Sequence, residues 1–287
     1  PKPGILGRIA ARLTRTPLVV NTQHGMWAQP TDRRRRRWPV YTAERIAAVF
    51  GDVELVQNPE DVATLTHTLR VPSDRVRLLG NGIDLARFDP DAVPAGTRER
   101  LRAEWGVADD EVMCLVVGRL VREKGMVELL EAAEQVADVV RFVIVGPTDD
   151  DKSDAVDASG AVDAGVVFTG QRTDMPECYA AADLFVTASW REGFPRSAME
   201  AAAMGLPTVA TDIRGNRQVI ADGETGVLVP VRDAAAISAA VKSLAADPDR
   251  RATMSAAARA RSRDEFDQRR VIDRTLDAYA LLASRVT

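Results

Sequence analysis

Short β-branched runs alternate with amphipathic stretches along most of this chain, and that alternation restricts the fold more than any other feature. Strands separated by helices cannot pair through tight turns, so they line up in parallel, and the pattern is the signature of βα units. The strand candidates are Leu18–Asn21, Val53–Gln57, Val76–Leu79, Val112–Val117, Arg141–Val145, Val166–Thr169, Leu184–Thr187, Thr208–Ala210 and Gly226–Val229. Helices fall between them, one over Ile5–Leu13 and another over Ala198–Met204, and three helical stretches follow from Ala234 onward. With 287 residues the chain is long enough for two domains. The break is expected at FDPDAVPAGT (88–97), which is rich in Pro, Gly and Asp and has no periodicity. That places a first domain over 1–93 and a second over 94–269, both of the α/β class.

Composition removes several alternatives. Hydrophobic residues make up 46% of the sequence, too many for a disordered chain. No apolar run reaches the roughly 18 residues that cross a bilayer. Cys114 and Cys178 sit in apolar or helical surroundings without partner spacing, so free thiols in a reducing, cytoplasmic compartment are expected. There is neither an initiator Met nor a signal-peptide pattern. PKPG reads as a loop into the first helix, and a parallel sheet ordinarily has a strand before such a helix, so the chain is expected to lack its true beginning. The net charge of −4 hides an asymmetry: residues 1–50 hold ten basic residues against Asp32 and Glu44, a surplus of eight, so the remainder carries −12. A basic part followed by an acidic one points to different partners for the two.

Two stretches carry candidate chemistry. In VVGRLVREKG (116–125) a strand runs into Gly118, a short loop holds Arg119 and Lys124, and a helix opens near Gly125. Loops at the C-terminal ends of parallel strands are where such sheets bind ligands, and two cations beside the exposed N–H groups of a helix start suit a diphosphate. Lysine is scarce here: of 38 basic residues only Lys2, Lys124, Lys152 and Lys242 are lysines. A solvated loop with surface charges explains this stretch equally well when it is taken alone. In REGFPRSAMEAAAMG (191–205), Glu192 lies on a loop, Gly193 allows close backbone approach, and Pro195 suits the first turn of a helix. N–H groups around Arg196 and Ser197 face an anion there, and Glu200 follows one turn later. A carboxylate accepts hydrogen bonds from two adjacent hydroxyls, as on a ribose, and Glu192 can do the same for a sugar ring.

These residues resemble the signature region of the family 4 glycosyltransferases, retaining enzymes of the GT-B fold, in which two Rossmann-like domains face each other across a cleft. The likeness extends in family order to NTQHG (21–25), NGIDLARFDP (81–90), GRLVREKG, FTGQRTDMP (168–176) and DGETGVLVP (222–230), and so covers nearly the whole chain. It implies a donor site built from Gly118, Arg119, Lys124, Arg172, Thr173, Gly193, Phe194, Arg196, Ser197 and Glu200. Arg119 and Lys124 would hold the diphosphate and Glu200 the ribose. Arg172 and Thr173 would meet the base, while Glu192 and His24 would attend the sugar near the reacting carbon. His67 is left as a helix-surface residue. The resemblance further implies upstream residues with a glycine-rich acceptor loop, and a C-terminal helix within 270–287 that crosses back onto an incomplete first domain. Gln218 departs from the family, where Glu is common.

The activity implied is transfer from a UDP- or GDP-sugar to a sugar or lipid-linked acceptor hydroxyl, in polysaccharide or glycolipid synthesis, with domain closure excluding water. No cofactor or metal is expected, because no His or Cys cluster has ligand spacing and DDDK (149–152) reads as a solvated acidic loop. An epimerase or phosphorylase of the same fold, or an inactive nucleotide-binding fragment, are the competing readings. The run RRRRR (33–37) lacks the patterns of nucleic-acid readers, and nucleic acid is not expected as a partner. A solvated loop remains open for it, beside peripheral contact with anionic lipid at the inner face of the membrane or with a lipid-diphosphate acceptor.

Overall fold

In a computed structural model the chain is described at residues 2–30, 32–149, 153–157 and 165–284. It divides into two compact units, Pro1–Gly82 with Gln268–Thr287, and Ile83–Asp267. The first contains β1 (Val20–Gln23), β2 (Val53–Val56) and β3 (Val76–Leu78), paired in parallel in that order. Its helices are α1 (Lys2–Leu13), α2 (Arg34–Val49), α3 (Pro59–Ala63) and the terminal Gln268–Ala283, labelled α11. The first helix thus starts three residues before the expected Ile5. Pro3 lies in its opening turn, where a proline's missing N–H costs nothing.

Side-chain alternation along β2 builds both faces of this unit. Val53 and Leu55 pack with Leu79 against Ala278 and Leu282 of α11. Val56 joins Met26, Val40 and Tyr41 in a separate cluster. Glu54 brings a charge into the buried interior. There Arg8 donates from Nη1 to Glu54 at 2.6 Å and from Nη2 to Glu44 at 2.6 Å. Asn21 donates to the other Glu54 oxygen and Gln23 to Glu44. Burial holds the Glu54 carboxyl above its ordinary pKa, outweighing the lowering influence of Arg8.

The second unit is a six-stranded parallel sheet in the order β6-β5-β4-β7-β8-β9. Its strands are β4 (Val112–Val117), β5 (Val140–Val145), β6 (Val167–Gly170), β7 (Leu184–Thr187), β8 (Thr208–Thr211) and β9 (Gly226–Val229). Helices α4 (Thr97–Glu104), α5 (Met126–Val136), α6 (Met175–Ala181), α7 (Arg196–Ala203), α8 (Arg214–Arg217), α9 (Ala234–Ala245) and α10 (Pro248–Glu265) surround it. Cys114 and Val116 of β4 pack with Leu129 of α5 and Val241 of α9, whereas Met113 and Leu115 pack with Tyr179 of α6 and Met199 of α7. Coverage on both faces is why these strands read as continuous apolar runs. Burial raises both free thiols, Cys178 to about 12 and Cys114 well above the usual range.

The expected linker at 88–97 is instead fastened to the second unit. Ile83 N–H donates to the Phe266 carbonyl at 2.9 Å, and Arg259 bonds Asp91 at 2.8 Å. Phe88 is buried edge-on to Tyr179, with ring centroids 6.0 Å apart. The break therefore falls after Gly82 rather than at 93, and the chain returns to the first unit at Gln268. One buried phenylalanine in a polar stretch outweighs its loop-like composition.

Arg8 serves two carboxylates in a site where all three side chains are at most 4% exposed. Arg8→Met leaves them without their cation and is expected to lower the free energy of unfolding by about 3–5 kcal/mol. Urea denaturation measures this, and an unchanged midpoint contradicts it.

Candidate functional site

The strand order sets the site. β4 pairs directly with β7, while β5 and β6 lie to one side and β8 and β9 to the other. The connections diverge at this point, and the loops that leave the two strands face one crevice. The loop after β4 ends in a short 3-10 turn, Arg122–Lys124, followed by Gly125 at φ 71°. A side chain at Gly125 would be strained, and its Cβ would stand 2.1 Å from the Ala188 carbonyl oxygen beyond β7. The two loops therefore touch backbone to backbone.

Trp190 fastens them. Its backbone N–H donates to the Glu123 carbonyl at 2.9 Å, and its indole Nε1 donates to Glu128 at 3.2 Å. The Arg232 guanidinium lies 3.9 Å above the indole ring. Behind the loop, Ser189 accepts a 2.6 Å bond from Thr211 Oγ1. On the α8 side, a Cβ at Gly215 would come within 2.6 Å of the Glu192 carbonyl oxygen. This packing places Lys124 Nζ 2.5 Å from Glu192 Oε1, with both side chains half-buried. An ammonium has three N–H donors, so two remain for another acceptor.

Gly118 closes β4, and the exposed Arg119 beyond it pairs with Asp149 at 2.6 Å. α7 begins at Arg196, with Pro195 as the preceding cap residue. The first N–H groups of a helix, here those of Arg196 and Ser197, have no acceptor within it. Phe194 packs edge-on against Phe266 at 6.1 Å, so Gly193 lies between an anchored ring and Glu192. Glu200 lies inward on α7. Tyr179 Oη is 3.0 Å from Glu200 Oε2 and 3.1 Å from the Ser197 carbonyl, and shares its one proton between them. Burial raises the Glu200 pKa, against lowering contributions from Tyr179, Arg196 and Arg87.

Other predicted residues are placed differently. The Arg172 guanidinium donates to Asp174 at 2.9 and 2.6 Å and to Glu104 at 2.6 Å, and it lies 5.4 Å over Trp105. It is engaged in a clamp between α4 and the loop before α6. The Thr173 carbonyl accepts from Arg87 at 3.1 Å. His24 is exposed and directly follows β1 in the first unit, and the Gln218 amide folds back on the Arg214 carbonyl at 3.2 Å. In the acidic DDDK stretch only Asp149 belongs to the described residues. Among those residues no group of three or more His, Cys, Asp and Glu could hold a metal, and no helix is long and apolar enough to cross a membrane. A groove of about 490 Å³ lined by Gly96, Thr97, Asp183, Gly205, Leu206 and Ser255 opens where Asp183 and Leu206 lead into β7 and β8, away from the loops described above.

Residues 97–261 match the family described as "Glycosyl transferases group 1". The chain belongs to this family. The UDP-Gal:alpha-D-GlcNAc-diphosphoundecaprenol alpha-1,3-galactosyltransferase of Escherichia coli is 30% identical over 240 residues, which cover 81% of this chain and 61% of that protein. This chain therefore spans about three fifths of that relative's length. A D-inositol 3-phosphate glycosyltransferase of Xylanimonas cellulosilytica is 32% identical over 297 residues, covering 98% of this chain and 70% of that one. Among solved structures, sucrose-phosphate synthase from Thermosynechococcus elongatus superposes with a TM-score of 0.83 at 26% identity, over 98% of this chain and 72% of that one. The Anabaena protein HepE in complex with UDP gives 0.79 at 24%, over 99% and 76%. The α/β fold of parallel sheets is thus of the GT-B glycosyltransferase type implied by the sequence motifs.

Sequence reading missed Trp190, Tyr179, Asp149 and Gly215. An indole in a polar loop two residues before Glu192 was the one available signal. The other three act through contacts that only the strand order creates.

Because burial raises the Glu200 pKa in the folded protein, the ionised carboxylate opposes folding. Its protonated form is favoured below the unfolded value near 4.5, and that advantage is lost as pH rises through the folded value. Glu200→Gln is therefore expected to raise the melting temperature by a few degrees at neutral pH, with the difference shrinking in acid. A lower melting temperature at neutral pH contradicts this.

Proposed function

We propose that this chain transfers a sugar, with retention of configuration, from a nucleotide-diphosphate sugar to a hydroxyl of a sugar or lipid-linked acceptor, in polysaccharide or glycolipid synthesis. The observation that carries the reading is the Lys124–Glu192 contact, 2.5 Å long, at the point where the strand order reverses. It puts a cation for a diphosphate against a carboxylate for a sugar hydroxyl. The chemistry demands this combination. As the bond from the anomeric carbon to the diphosphate oxygen breaks, positive charge grows on the ring and negative charge on the leaving group.

Lys124, Arg119 and the N–H groups that open α7 stabilise the departing diphosphate electrostatically. Glu200, steadied by Tyr179, accepts hydrogen bonds from the two ribose hydroxyls, and Glu192 binds the sugar beside the reacting carbon. The new bond forms from the anomeric carbon to the acceptor oxygen, whose proton leaves toward the diphosphate. His24 and the retention of configuration enter through the family resemblance alone. The backbone around Thr173 is assigned to the base, since the Arg172 side chain is engaged elsewhere. A uridine donor is favoured because the Escherichia coli relative is named for UDP-Gal and the Anabaena protein is described in complex with UDP.

Calorimetric titration with UDP, GDP and ADP tests the donor site directly. One of them, UDP first, is expected to bind, and Lys124→Ala or Glu200→Ala to weaken it about 10–100-fold, as for loss of a charge-assisted hydrogen bond. Equal binding by either variant refutes that residue's role. Turnover of a donor with phosphate alone, or epimerisation without acceptor, overturns the transferase reading.

A further inference from the structure

Each cation assigned to the diphosphate has a carboxylate of the chain against it. Lys124 has Glu192 at 2.5 Å, and Arg119 has Asp149 at 2.6 Å. Glu192 has a task of its own at the sugar, whereas Asp149 has none in the chemistry above. The place of Asp149 is nevertheless built. β5 pairs with β4 from Val112 opposite Val140 to Val117 opposite Val145, so the loops that leave the two strands run side by side. A Cβ at Gly146 would overlap the Gly118 carbonyl oxygen. Just before Asp149, the Pro147 carbonyl accepts from the Leu120 N–H at 3.3 Å. Farther along, the Arg122 N–H donates to the Asp154 carbonyl at 2.8 Å and the Val156 N–H to the Leu120 carbonyl at 3.0 Å. The chain on both sides of Asp149 is thus tied to the backbone that follows Arg119.

The contact itself is a light one. Among the described residues Arg119 bonds Asp149 alone, through Nη1, with the arginine side chain 44% exposed and the aspartate 25%. Arg172, by contrast, makes three bonds to two carboxylates at 18% exposure. A partly exposed pair with a single bond shifts an equilibrium by about fivefold or less. A diphosphate brings more charge and more acceptor oxygens than one carboxylate, so it can take the Arg119 guanidinium from Asp149. It could not draw Arg172 from its clamp as readily. A carboxylate held in place by backbone bonds then remains at hand when the diphosphate departs.

We propose that Asp149 is a positioning residue that shares Arg119 with the diphosphate. It yields the guanidinium as a nucleoside diphosphate enters and reclaims it as the nucleotide leaves, which weakens product binding and speeds release. The inference rests on the reading of Arg119 as a diphosphate ligand, and its test separates the two.

The probes are whichever of UDP, GDP and ADP binds the wild type most tightly, and the matching nucleoside. Calorimetry compares the wild type with Asp149→Asn, Asp149→Glu, Arg119→Gln and the double variant Arg119→Gln with Asp149→Asn. Asp149→Asn is expected to bind the diphosphate about three- to fivefold more tightly, mostly through slower dissociation, followed by displacement of a fluorescent analogue. The nucleoside, which offers no phosphate, is expected to bind both proteins alike. Asp149→Glu keeps the charge and is expected to behave as the wild type. In the Arg119→Gln background Asp149→Asn is expected to add nothing, because the shared guanidinium is gone. Unchanged or weaker diphosphate binding by Asp149→Asn overturns the proposal. So does an equal gain for the nucleoside, the same gain in Asp149→Glu, or a gain that persists in the double variant. In each of these cases the role of Arg119 survives if Arg119→Gln alone weakens the diphosphate. Diphosphate binding unchanged in Arg119→Gln, or no binding of the three by the wild type, overturns both.

Discussion

Direct pairing of β4 with β7, with Cys114 opposite Leu184, brings together two loops that are distant in sequence. Lys124 and Glu192 are 68 residues apart and make one contact because these strands are neighbours. The Gly125–Ala188 approach, the indole of Trp190 and the backing at Gly215 all follow from that adjacency. A partly exposed ion pair contributes only about 0–1 kcal/mol to stability. Its position is therefore informative in a way its energy is not: the fold holds the pair together rather than the reverse.

Two inward-facing carboxylates, Glu54 buried and Glu200 half-buried, show how differently the chain treats structural and functional charge. Glu54 lies against a guanidinium and an amide, which offset its burial in part. Glu200 has the neutral hydroxyl of Tyr179 as its near partner, with Arg196 and Arg87 as the cations that influence it. A carboxylate kept where it opposes folding is expected where a ligand needs it. The same asymmetry separates the arginines. Arg8 and Arg172 are engaged by carboxylates, whereas Arg33 to Arg36 face outward at a helix end that repels them.

Most of the architecture was legible in the sequence because the strands are buried on both faces. VMCLVV at 112–117 and RFVIV at 141–145 leave little choice but strand, and all nine expected strands are present within a few residues of their predicted bounds. The loops with Lys124 and Glu192, and the helix start before Glu200, were legible because glycine and proline mark where a strand gives way to a helix. Pairing was not. Nothing local in GRLVREKG says that its lysine meets a glutamate beyond β7, since that depends on which strands are neighbours. The misplaced domain break has a similar cause. Phe88 and Ile83 are anchors only because Tyr179 and Phe266 stand opposite them. The first turn of α1 was hidden by Pro3 and Gly4, which resemble a loop when the helix start is unknown.

The route of the chain through its first unit bears on the order in which that unit can be completed. Val53, Leu55 and Leu79 are covered by Ala278 and Leu282, which follow the whole second unit in sequence. During synthesis this side of the small sheet stays bare until α11 emerges, long after its strands have left the ribosome. The second unit is continuous and can close on itself first. The first is then a late-assembling body with an apolar flank that waits for its cover, and such a flank is where chaperones or aggregation would act. Shortening the chain before Gln268 would therefore harm the first unit more than the second, although the missing helix lies at the far end of the sequence.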